Sequence, residues 1–226
     1  MLSAEPIRVG GIQPLSVNDW PGQIAAVLFL RGCPWRCPYC HNPELQSARG
    51  ETYGWTGVLN FLQTRRGLLD GVVFSGGEPC MQPNLAAAMA ELRALGFATG
   101  LHTGGYYPER LAEILDGALV DWVGFDVKAA WDDYAQVTGR ADSGARARRS
   151  LELLADSGVD YELRTTVWPA LLTPERVEAM ACDLGPRARG RLVLQRCHDC
   201  TGQLEMDLLA MAGSLQGRLG RVQVRA

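Results

Sequence analysis

The chain has 226 residues, 47% of them hydrophobic, and a net charge of −3, which suits one soluble domain over 1–226 with a sizeable core and excludes a chain built to grip nucleic acid. Its apolar run Ile24 to Leu30 is far too short to cross a bilayer, and the N-terminus lacks the basic-then-apolar order of a signal peptide, so no membrane association and a cytoplasmic location are expected. Seven cysteines then fit a reducing compartment better than a disulfide framework.

Residues 7–19 read as a small hairpin or extended arm. Apolar, β-branched runs follow near 24–31, 71–75, 98–103, 122–128, 161–167 and 191–195. They alternate with helical patterns near 55–63, 84–95, 108–116, 145–157, 173–184 and 203–212. Six βα units around a parallel sheet are the expectation, with a last short strand at 221–225. Pro83 and Gly96 bracket the second of these helical segments, Asn84 to Leu95, as start and stop signals. Parallel strands with crossover helices put functional loops at the strands' C-terminal ends.

The first strand of the six runs into Cys33, Cys37 and Cys40. C-x3-C-x2-C spacing lets one loop wrap a single iron-sulfur cluster, and a four-iron cubane would find three protein ligands here, leaving one iron open. An open coordination position marks a reactive metal site rather than a closed structural one. The alternative is a structural zinc site completed by His41, although adjacent residues such as Cys40 and His41 rarely ligate one ion with good geometry. The second strand ends in Ser75-Gly-Gly-Glu78, where glycines permit close backbone approach to a ligand and Glu78 can accept hydrogen bonds from a cationic amine. A plain glycine-rich βα turn would read the same way. Lys128 is the only lysine beside 21 arginines; a site that needs a compact ammonium would resist replacement by arginine. Cys197-His-Asp-Cys200 follows the sixth strand as half of a metal site or as a redox pair, with Cys80, Cys182 or His198 as conceivable further ligands.

These residues together resemble the radical S-adenosylmethionine (SAM) superfamily, whose members bind a 4Fe-4S cluster in such a loop with an aromatic residue, here Tyr39, before the last cysteine. The resemblance implies that SAM chelates the open iron and that an electron from the cluster cleaves it to a 5′-deoxyadenosyl radical. Gly76, Gly77 and Glu78 look like the motif that holds the SAM amino group. Leu101-His-Thr-Gly-Gly105 and Asp126-Val-Lys128 resemble the D-T-N-G and D-x-K segments of glycyl-radical-enzyme activating proteins, with His102 in place of the usual acid. The E-x-R-T-T-V run on the fifth strand gives Arg164, which could equally be a surface arginine paired to Glu162 or Asp160.

Gly10-Gly-Ile-Gln, Asp19-Trp-Pro-Gly22 and the Cys-Pro-Tyr-Cys-His-Asn-Pro segment narrow the resemblance to the anaerobic ribonucleoside-triphosphate reductase activating protein family. It implies an incomplete (β/α)6 barrel and abstraction of a glycine Cα hydrogen in a partner glycyl radical enzyme, anaerobic ribonucleotide reductase. The cofactors implied are a 4Fe-4S cluster and SAM, with an electron donor such as flavodoxin or ferredoxin. Cys33, Cys37, Cys40 and Lys128 are the catalytic candidates. Tyr39, Asn42, Gly76, Gly77, Glu78, His102, Thr103, Asp126, Lys128, Arg164 and Gln195 are the candidates around SAM. The rivals are a radical SAM enzyme for a small molecule or another peptide, and a non-catalytic iron-sulfur or metal-binding module.

Overall fold

The computed structural model describes residues 7–185, 191–197, 207–220 and 222–225. One sheet of eight strands runs in chain order from β1 to β8. β1 (Val9–Ser16) pairs antiparallel with β2 (Ala25–Leu30). From β2 onward every neighbour is parallel: β3 (Gly71–Gly76), β4 (Ala98–Thr103), β5 (Trp122–Asp126), β6 (Asp160–Val167), β7 (Arg191–Arg196) and β8 (Val222–Arg225). The arm expected at 7–19 is thus an added edge strand, and β8 extends the six expected parallel strands to seven. The sheet is not closed, since β1 and β8 are its edges.

The helices return the chain across one face of the sheet: α1 (Trp55–Gln63), α2 (Leu85–Ala94), α3 (Pro108–Asp116), the short α4 (Tyr134–Thr138), α5 (Ser143–Ser157), α6 (Pro174–Leu184) and α7 (Leu208–Leu219). Their starts and stops follow local chemistry. Pro108 and Pro174 occupy first-turn positions, where a missing N–H costs nothing, and Thr173 accepts a bond from Arg176 N. Gly158 ends α5 in the left-handed region at φ 79°. α4 was not expected, because five residues are too few to show a period. Of the helix expected over 203–212, residues 203–206 lie outside the described part.

Alternation along the strands divides the side chains into two layers. Leu28, Leu30, Phe74, Leu101, Val123, Phe125 and Leu163 are buried under the helices in the main core. The other face is concave, with a small apolar cluster of Trp20, Ala25, Val27, Val73 and Trp122 at the strands' N-terminal end. Trp20 stacks on Trp122 with ring centroids 5.8 Å apart, and a Cβ on Gly71 or Gly100 would come within 2.8 Å or 3.0 Å of its indole. Those two strands carry glycine where Trp20 lies across them. Above this plug the concave face turns polar, with His102, Asp126, Arg164 and Gln195 pointing away from the main core.

Candidate functional site

The cysteine loop is fastened at both ends by backbone. Gly32 N donates to Leu45 O (2.8 Å), Cys33 N to Gln46 O (3.0 Å), Cys40 N to Cys37 O (3.2 Å) and Arg36 N to Thr138 O (3.0 Å). Arg31 holds the returning segment by donating to the carbonyls of Glu44, Arg49 and Glu51. The loop's two aromatic residues turn inward: Trp35 meets Tyr106 and Tyr134 edge-on, and Tyr39 packs on Trp168.

This loop roofs a cavity of about 240 Å³ at the C-terminal ends of the strands. Cys33, Cys37, Cys40, Tyr39, Asn42, Gly76, Gly77, Glu78, His102, Asp126, Lys128, Arg164 and Gln195 all line it. Of the expected site residues only Thr103 is not on the lining: its hydroxyl donates to Glu78 Oε1 (2.6 Å) and accepts from Gly105 N (3.0 Å). Its place is behind Glu78. Trp35 and Arg196 line the cavity as well, as do His41, weighed above only as a zinc ligand, and Ser75, Gly104 and Thr166, which lie inside the quoted motifs without being site candidates. Stepping by two along a strand, back from Gly77 to Ser75 and on from Arg164 to Thr166, would have found both, because positions on one face share that period.

Glu78 is 2% exposed, and besides Thr103 it accepts from Gly104 N (2.9 Å) and Cys80 N (3.1 Å). Burial pushes its carboxyl up, and these donors pull it back. Gly76 and Gly77 are needed by the fold itself: a Cβ on Gly76 (φ 114°) would lie 2.3 Å from Leu30 N, and one on Gly77 2.3 Å from Gly32 O. Their smallness brings β3 and the cysteine loop together at the cavity.

Arg164 lies flat across the floor. It donates through Nε to Glu162 Oε1 (2.9 Å) and through Nη2 to Asp19 O (3.0 Å), stands 3.0 Å from His102 Nε2, and covers the Trp122 ring at 5.0 Å. Arg225 grips the same Glu162 with two bonds, 3.0 and 3.2 Å long. Arg164 is therefore both paired to Glu162 and on the cavity wall, and it is buried rather than at the surface. Gly124 leaves room for it, since a Cβ there would lie 2.8 Å from the guanidinium carbon. His102 Nε2 sits between Asp19 O (2.8 Å) and Arg164, while Nδ1 faces Ser75 Oγ (3.2 Å). Burial and the Arg164 cation push its pKa down to about 4, so the ring is neutral. Lys128 Nζ stands 3.1 Å from Asp126 Oδ2 and 6.0 Å from the Tyr39 ring centroid. Burial works against both charges. Each more than offsets it in the other, holding Asp126 below the usual carboxylate range and Lys128 well above its own.

The donor set fits an iron-sulfur cluster. Among the described residues no three His, Cys, Asp or Glu side chains converge as one zinc ion requires, whereas a cubane takes each thiolate at a different iron and needs them spread around its corners. Burial pushes the Cys33 thiol up to about 12 and the Cys37 thiol up as well, with Lys128 opposing. Tyr39 OH and Trp35 Nε1, both on the wall, are buried without a partner among the described residues, a cost of about 1–3 kcal/mol each that a bound group can relieve. Of the remaining cysteines, Cys80 is buried beside Glu78, Cys182 is exposed on α6, and Cys197 is disulfide-bonded. His198 and Cys200 lie outside the described residues.

Residues 27–181 match the Radical SAM superfamily. A protein of Methanocaldococcus jannaschii named as a glycyl-radical enzyme activating enzyme is 33% identical over 189 residues, 78% of this chain and 77% of that one. The pyruvate formate-lyase-activating enzyme of Clostridium pasteurianum is 33% identical over 171 residues, 73% of this chain and 70% of that one. Among solved structures, Streptococcus suis SuiB bound to precursor peptide SuiA matches 88% of this chain with a TM-score of 0.67 at 12% identity; this chain spans 48% of it, about half its length. With the cysteine loop over the strand ends of an open parallel sheet, these matches place the chain in the radical SAM superfamily, as an enzyme of a family that works with a 4Fe-4S cluster and SAM.

Proposed function

We propose that this enzyme is an activase that removes a Cα hydrogen from a glycine of a partner glycyl radical enzyme, with anaerobic ribonucleotide reductase as that partner. The observation that carries the reading is the single cavity onto which the three cysteines and the ends of β3 to β7 open. The names of two relatives at 33% identity support the activase reading, while the choice of ribonucleotide reductase as partner rests on the resemblance carried by Gly10-Gly-Ile-Gln and Asp19-Trp-Pro-Gly22. Cys33, Cys37 and Cys40 hold the cluster in this reading, and Tyr39, Asn42, Gly76, Gly77, Glu78, His102, Asp126, Lys128, Arg164 and Gln195 surround SAM, with Thr103 fixing Glu78.

When bound, cluster and SAM supply a one-electron cleavage that yields a hydrogen-abstracting radical. The chain's residues do the rest. Lys128 and Arg164 put two cations on the cavity lining, suited to the SAM carboxylate, and Asp126, 3.1 Å from Lys128, tempers their repulsion of its sulfonium. Neutral His102, held by Asp19, Arg164 and Ser75, fills its place on the lining without adding charge. The plug of Trp20 and Trp122 keeps water from entering through the strands' other end. An external one-electron donor such as flavodoxin or ferredoxin would feed the site, in the cytoplasm; no described helix is long and apolar enough to cross a membrane.

The test is Cys33→Ala, Cys37→Ala and Cys40→Ala, made separately and reconstituted without oxygen. Each should lose cluster iron and all 5′-deoxyadenosine formation, since one missing thiolate opens a second iron. The unaltered enzyme mixed with anaerobic ribonucleotide reductase and SAM should give a glycyl radical by electron paramagnetic resonance. A cysteine variant with full activity would remove the radical SAM reading; SAM cleavage without that radical would remove only the partner.

A further inference from the structure

The surface beside the cysteine loop carries positive charge that the proposed reaction does not use. Residues 139–149 hold Arg140, Arg146, Arg148 and Arg149 against one acid, Asp142, in a chain of net charge −3. The cysteine loop is tied in just before this segment: Arg36, exposed between Cys33 and Cys37, donates its backbone N–H to Thr138 O (3.0 Å). The Arg36 guanidinium bonds the carbonyls of Cys33 (2.8 Å) and Trp35 (2.7 Å), so its charge is not cancelled there by an acid. Arg140 and Arg146 share Asp142 at 4.0 and 2.8 Å, leaving two guanidinia to one carboxylate. Both also lie over the Tyr106 ring, at 5.4 and 4.9 Å, and Arg140 donates to its hydroxyl (2.8 Å). Below them Tyr106 is buried and meets Trp35 edge-on at 6.1 Å. Trp35 in turn lines the cavity beside Cys33. An unbroken aromatic pair thus connects the charged surface to the cavity wall.

We propose that the face formed by Arg36, Arg140 and Arg146 is where an acidic one-electron carrier protein docks to reduce the cluster. This rests on the radical SAM reading above. The carrier's cofactor gives up one electron and the cluster gains it; no bond is made or broken and no proton moves. Complementary charge steers such encounters and raises their rate by ten to a thousandfold at low salt. A carrier seated here lies against the loop that holds the cluster, with Tyr106 and Trp35 filling the space between.

The experiment uses the cluster-loaded enzyme and reduced flavodoxin as the probe, following cluster reduction by stopped-flow absorbance and the affinity for oxidised flavodoxin by calorimetry. Arg140→Glu with Arg146→Glu should slow reduction by flavodoxin at least about tenfold at low salt, flatten its salt dependence and weaken binding. Reduction by photoreduced 5-deazariboflavin, a small reductant that needs no docking face, should be unchanged, as should iron content. The Arg140→Gln and Arg146→Gln pair should show the same effects at smaller size and serves if the charge reversal does not fold. Flavodoxin rates and affinity equal to the unaltered enzyme's would overturn the assignment. So would normal flavodoxin reduction with loss of activation of the glycyl radical enzyme, which would give this face to that partner instead. Failure of the unaltered enzyme to hold four irons per chain would instead strike at the radical SAM reading, a result that iron analysis separates from the first two.

Discussion

Single side chains in the cavity carry two duties, and substitutions can separate them. Lys128 is the chain's one lysine, and it stands within hydrogen-bond distance of Asp126 (3.1 Å) at the cavity wall. Lys128→Arg should cut 5′-deoxyadenosine formation at least about tenfold without altering thermal unfolding, because the longer planar fork cannot keep one nitrogen at that carboxylate and stay under Tyr39. Unchanged turnover would leave Lys128 as the ion-pair partner of Asp126 with no part in the reaction. His102 gives a pH test of the fold itself. Its folded pKa of about 4 lies below the ordinary value of 6.5, so the unfolded chain takes up the proton first. The stability it contributes is complete above about pH 6.5 and is lost as the pH falls toward 4. The loss is on the order of 2 kcal/mol once discounted for the ring's edge on the open cavity. Denaturation of the apoprotein across that window should show a steeper decline than in His102→Gln; parallel curves would mean that His102 titrates normally.

At the level of elements, the end of β3 and the start of the cysteine loop are built as one joint. Gly77 N donates to Leu30 O (2.9 Å) and Glu78 N to Gly32 O (2.8 Å), which draws the two backbones too close for any side chain at 77. Gly77→Ala should therefore cost about 3 kcal/mol or more, since its Cβ would meet backbone that cannot swing away. Urea unfolding of the apoprotein measures it, and a loss under about 1 kcal/mol would show that the joint can open. The same geometry revises what the Gly-Gly-Glu segment means. Its residues line the cavity, yet Glu78 is already bonded to Thr103, Gly104 and Cys80, so its truncation would loosen the ends of β3 and β4 as well as any ligand.

Across the whole molecule, an open sheet has to keep its concave face from flooding at both ends. Trp20 does this at the N-terminal end. It comes from the turn before β2, is 7% exposed and spans β3, β4 and β5 through Gly71, Gly100 and Trp122. Trp20→Ala should cost about 3–5 kcal/mol by the usual scale for emptied aromatic sites, with a falling urea midpoint at nearly constant slope. A shift of under about 1 kcal/mol would mean that the strands close over the gap unaided. Arg225 on β8 reaches Glu162 on β6, so the last strand helps to hold the cavity floor.

Periodicity and local motifs were enough to read the six βα units, the direction of the sheet and the cysteine loop, because each depends on residues near one another in sequence. Strands alternate in twos, helices open at Pro108 and Pro174, and three cysteines fall within eight positions. The sequence alone also singled out thirteen of the cavity's lining residues, five in the cysteine loop and eight on or just after the strands. What it could not show depends on partners far apart in the chain. Asp19-Trp20 was legible as a motif, but its work as plug and carbonyl cap needs His102 and Arg164. Glu162 was one of two acids that could pair with Arg164; only folding brings Arg225 to the same carboxylate. Arg36 and Arg140 are separated by a hundred residues, and the face they form exists because Arg36 N bonds Thr138 O across the mouth of the sheet. Local pattern determines which elements form, whereas long-range packing decides which of their charges meet.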